Sequence, residues 1–321
     1  ELTDFSSDIS GFYKLSLEER QHQLVKLLNL NQEEHELMRT LGYFSPSQID
    51  RLIENVVGSY QLPLGLAFNF KINSKDYIIP MVIDVRDAMG ANVVNTMAEA
   101  VTPYIEDLCN SKIYLRIVSN LATHRIAKAK AIFDKNLLGG EEVVEGILNA
   151  YEFARADPYR ATTHNKGIMN GIIALTLATG NDTRAIEAGA HAYASLGGSY
   201  KPLTKFDLDS EGNLVGEIEI PLALGIIGGI TRTHPMARLA LKILKVESAG
   251  ELAQVAAALG LAQNVGALRA LASEGIQKGH MSLHSRNIAK LAGASEEIIE
   301  EVATRMVKDK KIRVDYAKEI I

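Results

Sequence analysis

The sequence holds a single cysteine, Cys109, in 321 residues. No intramolecular disulfide can form, and a reducing cytoplasm suits the chain. An excess of basic charge is also missing: 34 Lys and Arg stand against 39 Asp and Glu, a net charge of −5. That excludes the positive footprint a nucleic-acid binder needs. Long hydrophobic runs are absent. The longest, Ile220 to Ile230, contains Pro221, Gly225, Gly228 and Gly229 and is too short to span a bilayer. The opening Glu1-Leu2-Thr3-Asp4 has no basic region followed by an apolar one, so no signal peptide is read there, and Glu1 in place of an initiator Met leads us to expect further residues upstream. There is no Gly-x-Gly-x-x-Gly, hence no ordinary Rossmann fingerprint. Internal repeats and low-complexity linkers are lacking. The expectation is an unanchored cytoplasmic protein with no nucleic-acid partner and no membrane contact.

What is present is enough for a large core. Hydrophobic residues make up 47% and charged residues 23%, which argues against disorder. The length suits two domains, or one large domain with an insert. Ser16-Leu17-Glu18-Glu19 is a capping box that starts a helix with Leu24, Leu27 and Leu28 on one face. Ser45-Pro46-Ser47-Gln48 is a second, leading into Ile49, Leu52, Ile53 and Val56, with Gly58 at the end. Residues 75–85 read as a strand. Asp87 to Asn92 reads as a turn, followed by a helix carrying Val93, Val94, Met97, Val101, Ile105 and Leu108. Ile113 to Val118 reads as a short strand. Helices are predicted over 141–156, 167–178 and 183–195, and a β-hairpin over 206–221 around Glu211-Gly212-Asn213. An alanine-rich helix over 251–272 is expected to break near Gly260, and Ser295-Glu296-Glu297 to cap a terminal helix. The class is α+β and helix-rich.

Several residues are candidates for chemistry. Gly90 sits in the one strand–turn–helix with a glycine at the turn, where a backbone could approach a pyrophosphate; by pattern alone a plain turn is the commoner reading. Lys166 lies in Thr162-Thr163-His164-Asn165-Lys166-Gly167, which we read as the opening of an apolar helix. A cation at a helix N-terminus opposes the macrodipole, and one also desolvated would titrate low, which suits a lysine that stabilises an oxyanion. A solvated loop lysine is the bland alternative. Asn181 or Asp182 is a natural N-cap, and capping alone would explain Asp182. Glu54, in a last helical turn, could be a proton donor with a raised pKa or a surface carboxylate. His280 and His284 stand four apart, but no His-Glu-x-x-His or third ligand accompanies them. A proton donor or a surface histidine is favoured over a metal pair, and no metal is expected.

Taken together, these stretches resemble class II 3-hydroxy-3-methylglutaryl-coenzyme A reductase, the bacterial and archaeal kind. The matching segments are Glu54–Gly58, Asp87–Asn92, Asp157-Pro158-Tyr159-Arg160, Thr163–Gly171, Ala178–Asp182, Gly260–Asn264 and Gly279-His280-Met281, in family order. The resemblance implies that Lys166 stabilises the oxyanion formed when hydride reaches the thioester carbonyl. It implies Glu54 as proton donor, Asp182 as the group that holds Lys166 and Glu54 in their charge states, and His280 as the acid for the departing thiolate. Arg160 would pair with the substrate's free carboxylate, and Thr163, Asn170 and Gln263 would contact substrate. Asp87, Met89, Gly90, Asn92 and Asn120 would line the dinucleotide site. The implied cofactor is NADH or NADPH; the implied partners are hydroxymethylglutaryl-CoA, mevalonate, CoA and a second copy of the chain, as a homodimer or a higher oligomer of dimers.

One departure from the family stands out. The strand around Ile79-Pro80-Met81 is there followed by further strands of a small domain, whereas here Met81-Val82 runs straight into Ile83-Asp84-Val85-Arg86-Asp87. The Met81–Val85 junction is therefore read as a join between segments that the family keeps apart. The implied organisation is a large domain begun by residues 1–82, an incomplete dinucleotide-binding α/β domain over 83–120, the rest of the large catalytic domain over 121–278, and a helical flap over 279–321. The same site run in reverse would oxidise mevalonate. A CoA-binding or assembly relative without hydride transfer is the alternative of another class. An unrelated hydroxyacid dehydrogenase is disfavoured by the missing glycine fingerprint.

Overall fold

The computed structural model describes residues 11–41, 45–49, 57, 82–110, 112–273, 276–295, 297–309 and 311–321. Glu54 and most of the expected strand over 75–85 lie outside them. In chain order the helices are α1 (Leu17–Leu28), α2 (Gln32–Arg39), α3 (Pro46–Ile49), α4 (Ala91–Cys109), α5 (Lys135–Leu138), α6 (Glu141–Ala156), α7 (Pro158–Ala178) and α8 (Thr183–Ala194). They continue with α9 (Gly229–Thr233), α10 (Pro235–Leu244), α11 (Ala249–Ala272), α12 (Ile276–Ala292), α13 (Ile299–Lys308) and α14 (Val314–Ile320). The strands are β1 (Ile126–Phe133), β2 (Thr204–Leu208) and β3 (Leu214–Pro221), in the order β1-β3-β2. The fold is α+β and helix-rich, as expected.

The chain forms two compact units: residues 1–128, 169–196 and 219–258, and residues 129–168, 197–218 and 259–321. In the first, both capping boxes close as the sequence predicts. Ser16 Oγ accepts from Glu19 N while Glu19 accepts from Ser16 N, and Ser45 and Gln48 repeat the exchange. Leu30, Met38 and Leu239 form a small core, with Leu24, Val25, Met236 and Ile243 packed against it.

The second unit holds the hairpin. Strands β2 and β3 pair antiparallel, Thr204 opposite Ile218 and Leu208 opposite Leu214. A Cβ on Gly216 would stand 2.9 Å from Phe206 and 3.0 Å from Leu261, so the glycine lets α11 settle on the sheet. Gly146 does the same for α6, where a Cβ would meet Ala272 at 2.7 Å. Helices α12, α13 and α14 enclose a core of their own, made of Ala289, Ile299, Val302, Met306 and Ala317.

Four readings are corrected. Helix α7 begins at Pro158, not Gly167: Asp157 accepts from Arg160 N at 2.9 Å, and Pro158 takes the first helical position, where its missing N–H costs nothing. Helix α11 runs unbroken through Gly260, because its buried face of Ala256, Ala257 and Leu261 outweighs roughly 1 kcal/mol of glycine propensity. By length and composition α11 could cross a membrane, but its buried face also carries Asn264, hydrogen-bonded to Thr204. Ile113 to Val118 is extended without being a strand. Its two end amides are taken by side chains of α4, Ile113 N donating to Glu106 and Val118 N to Asn95, each at 2.7 Å. Finally, Ser295 offers its carbonyl, not its hydroxyl, to the amides of Ile298 and Ile299, and α13 starts without a side-chain cap.

Candidate active site

Helix α7 carries the densest part of the site. One face is buried and tied down. His164 Nε2 meets Thr204 Oγ1 at 2.7 Å, and that hydroxyl donates to Asn264 Oδ1 at 2.9 Å. The relay makes His164 Nε2 the protonated nitrogen and leaves Nδ1 as a buried acceptor with no partner. Burial first, and the Arg160 charge second, push the His164 pKa down to about 4, so the ring is neutral. Asn165 holds the same segment by donating to Lys201 O and accepting from Leu203 N, both at 2.9 Å. These buried neighbours fix the rotation of α7.

The opposite face is exposed among the described residues. Thr163, Lys166 and Asn170 are exposed, and their spacing of three and four residues aligns them along the helix. Lys166 therefore sits more than two turns inside α7, and the helix-terminus argument for a low-titrating lysine does not apply. Arg160, one turn before Thr163, is half-buried; desolvation lowers its pKa, and among the described residues it forms no ion pair. Gln263 is exposed on α11 beside buried Asn264.

Asp182 is the N-cap of α8. Its Oδ1 accepts from Arg184 N at 3.0 Å and Ala185 N at 3.2 Å, while Oδ2 makes no hydrogen bond among the described residues. Asn181 grips Gly225 by both backbone groups, accepting from its N at 2.8 Å and donating to its O at 3.0 Å. The same first unit contains the Asp87–Asn92 turn. Gly90, at φ 104°, is the N-cap of α4 and offers no side chain, and no acidic residue occupies the first turn. The first amides of a 19-residue helix are thus left for an anion, which fits a pyrophosphate. A Cβ on Gly90 would meet Val85 at 2.7 Å, so internal packing also demands glycine. Asp87 is not free, since its Oδ1 accepts from Ala249 N at 2.9 Å. Met89 is half-buried and Asn92 exposed. Asn120 is exposed, and its carbonyl would stand 2.5 Å from a Cβ on Gly189 of α8.

His280 and His284 fall on α12, which is helical without interruption across Lys278 and Gly279; His284 is exposed. Sequence reasoning missed Arg125. Its Nη1 donates to Ala88 O at 2.8 Å and Met89 O at 3.2 Å, and its Nη2 to Leu224 O at 2.6 Å. No local pattern announces bonds that span 36 to 99 residues.

Among the described residues no group of three or more metal-ligating side chains occurs, and the Gly90 turn at the start of α4 is suited to an anion. The profile of the hydroxymethylglutaryl-coenzyme A reductase family matches residues 16–84 and 81–285, and the chain belongs to that family. It is 47% identical over 414 aligned positions to 3-hydroxy-3-methylglutaryl-coenzyme A reductase of Archaeoglobus fulgidus, covering 98% of this chain and 94% of that one. A probable reductase of Borreliella burgdorferi is 44% identical over 214 residues, which is 65% of this chain and 49% of the relative. Among solved structures, a Streptococcus pneumoniae reductase superposes with a TM-score of 0.58 at 45% identity, over 74% of this chain and 58% of that one. A class II pneumococcal structure bound to NADPH gives the same TM-score and identity, over 74% and 59%. The two profile blocks meet at residues 81–84, and the archaeal alignment spans 414 positions against 321 residues here. The join read in the sequence thus falls where the relative carries a further segment, at the Met81–Val85 junction.

Proposed function

We propose that the protein reduces 3-hydroxy-3-methylglutaryl-CoA to mevalonate and CoA, in the mevalonate pathway, at the expense of two molecules of NADH or NADPH. The observation that carries the reading is the exposed Thr163–Lys166–Asn170 stripe on a helix whose other face is locked. The dinucleotide supplies hydride when bound; Asp87, Met89, Gly90, Asn92 and Asn120 would hold it. The chain's side chains do the rest. Lys166 holds the negative charge that grows on the carbonyl oxygen, first of the thioester and then of the aldehyde. Glu54 gives a proton, and Asp182 keeps Lys166 and Glu54 in working charge states. His280 protonates the leaving thiolate, as an imidazole near neutrality can. Arg160 pairs with the free carboxylate in a planar two-bond contact. Thr163, Asn170 and Gln263 orient the acyl portion. The NADPH in the pneumococcal relative favours reduction over mevalonate oxidation. The working form is a cytoplasmic homodimer, or an oligomer of dimers, with residues 279–321 as a flap that brings His280 to the substrate.

The test is stoichiometric. Two dinucleotides should be consumed per CoA released, with thiol followed by a chromogenic reagent. A ratio of one with an accumulating aldehyde overturns the four-electron reaction. Lys166→Ala should lose on the order of 100–1000-fold in turnover, with a smaller effect on substrate binding. His280→Ala should spare reduction of free mevaldehyde, which releases no thiol. A second reading, a CoA-binding relative without hydride transfer, is favoured by the strands lost at Met81–Val85. It predicts no quenching of NADH or NADPH fluorescence by the protein.

A further inference from the structure

The geometry assigns Arg125 as a positioning residue for the Asp87–Gly90 turn, holding it in the shape that presents the Gly90 amide and the N-terminus of α4 to a dinucleotide phosphate. The inference rests on the proposed function for its ligand, but not for the clamp itself. Three carbonyls converge on one guanidinium: Ala88 O, Met89 O and Leu224 O. Arg is the side chain with enough coplanar donors to serve all three; Lys is a point charge on a flexible stem. A trans peptide points its C=O and the following N–H in opposite directions. Drawing the Met89 carbonyl toward Arg125 therefore aims the Gly90 amide away from it, while the Met89 amide faces the strap, where Ala88 bridges Ile227.

The clamp has a second jaw. Leu222 N donates to Arg125 O at 2.9 Å, and Ile226 N donates to Asp87 O at 2.9 Å. The strap from Leu222 to Ile227 is thus bonded to Arg125 through its main chain and, at Leu224, through the guanidinium. Gly225 lies in that strap so close to the turn that a Cβ would come within 2.3 Å of Met89 N. The same Gly225 is the residue Asn181 grips, next to Asp182.

The experiment compares the intact protein with Arg125→Gln and Arg125→Lys. Amide hydrogen exchange over residues 88–94 reads the turn directly; fluorescence quenching reads NADPH affinity, and calorimetry reads CoA affinity. Losing bonds from a charged donor should speed exchange over 88–94 and weaken NADPH by roughly 10- to 100-fold in Arg125→Gln, with CoA binding within about twofold. Arg125→Lys should fall between the two. Unchanged exchange over 88–94 overturns the assignment, and so does an equal loss of NADPH and CoA binding, which marks a merely structural arginine. If Arg125→Gln does not fold, Arg125→Lys is judged by the same readouts. If the intact protein does not bind NADPH, the proposed reductase reading falls, while exchange over 88–94 still decides the clamp.

Discussion

Helices α4 and α7 are of similar length and meet different fates. In α7, Ala161, His164, Asn165, Ile168, Met169, Ile172 and Thr176 are buried. Among the described side chains of α4 only Thr102 is buried, while Val93, Met97, Tyr104 and Leu108 are exposed, Leu108 at 86%. The extended segment beside α4 is no better covered: Tyr114, Leu115 and Ile117 also face outward. Each such side chain could contribute about 1.5–3 kcal/mol if fully buried. An apolar face is a demand for a partner, and α4 lies just after the junction where the relative carries a further segment. Helix α7 is bonded to β2 through His164 and Thr204 and to the segment before β2 through Asn165, which this chain supplies.

The contrast can be tested, beginning where it is strongest. Ile172→Ala, on the buried face of α7, should cost about 2–5 kcal/mol, read from the shift of the urea midpoint. A cost near zero would mean that α7 is not the locked helix described. Acid provides the next test. The folded His164 titrates at about 4 and the unfolded ring near 6.5, so the unfolded state binds more protons below 6.5. Stability is full above that pH and falls as pH drops from about 6.5 to about 4, by about 3 kcal/mol in all. In His164→Gln the slope over that window should flatten; a slope that survives belongs to another group. Gly90→Ala places a Cβ against Val85 at positive φ and should cost about 1–3 kcal/mol, visible as a lower melting temperature. Leu108→Ala should change stability by less than about 0.5 kcal/mol. In a chimera carrying the archaeal relative's intervening segment after Met81, the same change should approach the roughly 2–5 kcal/mol of a buried leucine. If it stays silent there, missing strands do not explain the bare face of α4.

What the sequence made legible was local. The Ser16/Glu19 and Ser45/Gln48 boxes, the Asp182 cap and the Glu211–Asn213 hairpin turn each draw on residues a few positions apart, and the structure forms all of them. The start of α7 at Pro158 was not legible because a turn and a helix start use the same Asp-Pro dipeptide; the carboxylate accepting from Arg160 N decides between them. Strand β1 went unread because Ala and Lys alternate in Ile126–Phe133, residues of low β-propensity that the sheet enlists all the same. The candidate residues Lys166, Asp182, Arg160 and Gly90 stood out by motif. Their supports did not: Arg125, the Asn181–Gly225 pair and the His164–Thr204–Asn264 relay join positions 36 to 99 apart. Such links exist only once the chain has folded.

The two faces of α7 have a consequence for how such a protein can vary over generations. Positions 164, 204 and 264 share one chain of hydrogen bonds, so a change at any of them must be matched at the others or the helix turns loose. Positions 163, 166 and 170 touch none of that chain and can be rewritten singly. Inherited variants at the exposed positions should accumulate as folded, abundant and inactive protein. Variants at the buried ones should be cleared by proteolysis before their activity matters. Laboratory libraries that seek new acyl substrates can therefore vary positions 163 and 170 without unfolding the helix, provided Lys166 and the relay beneath it are left intact.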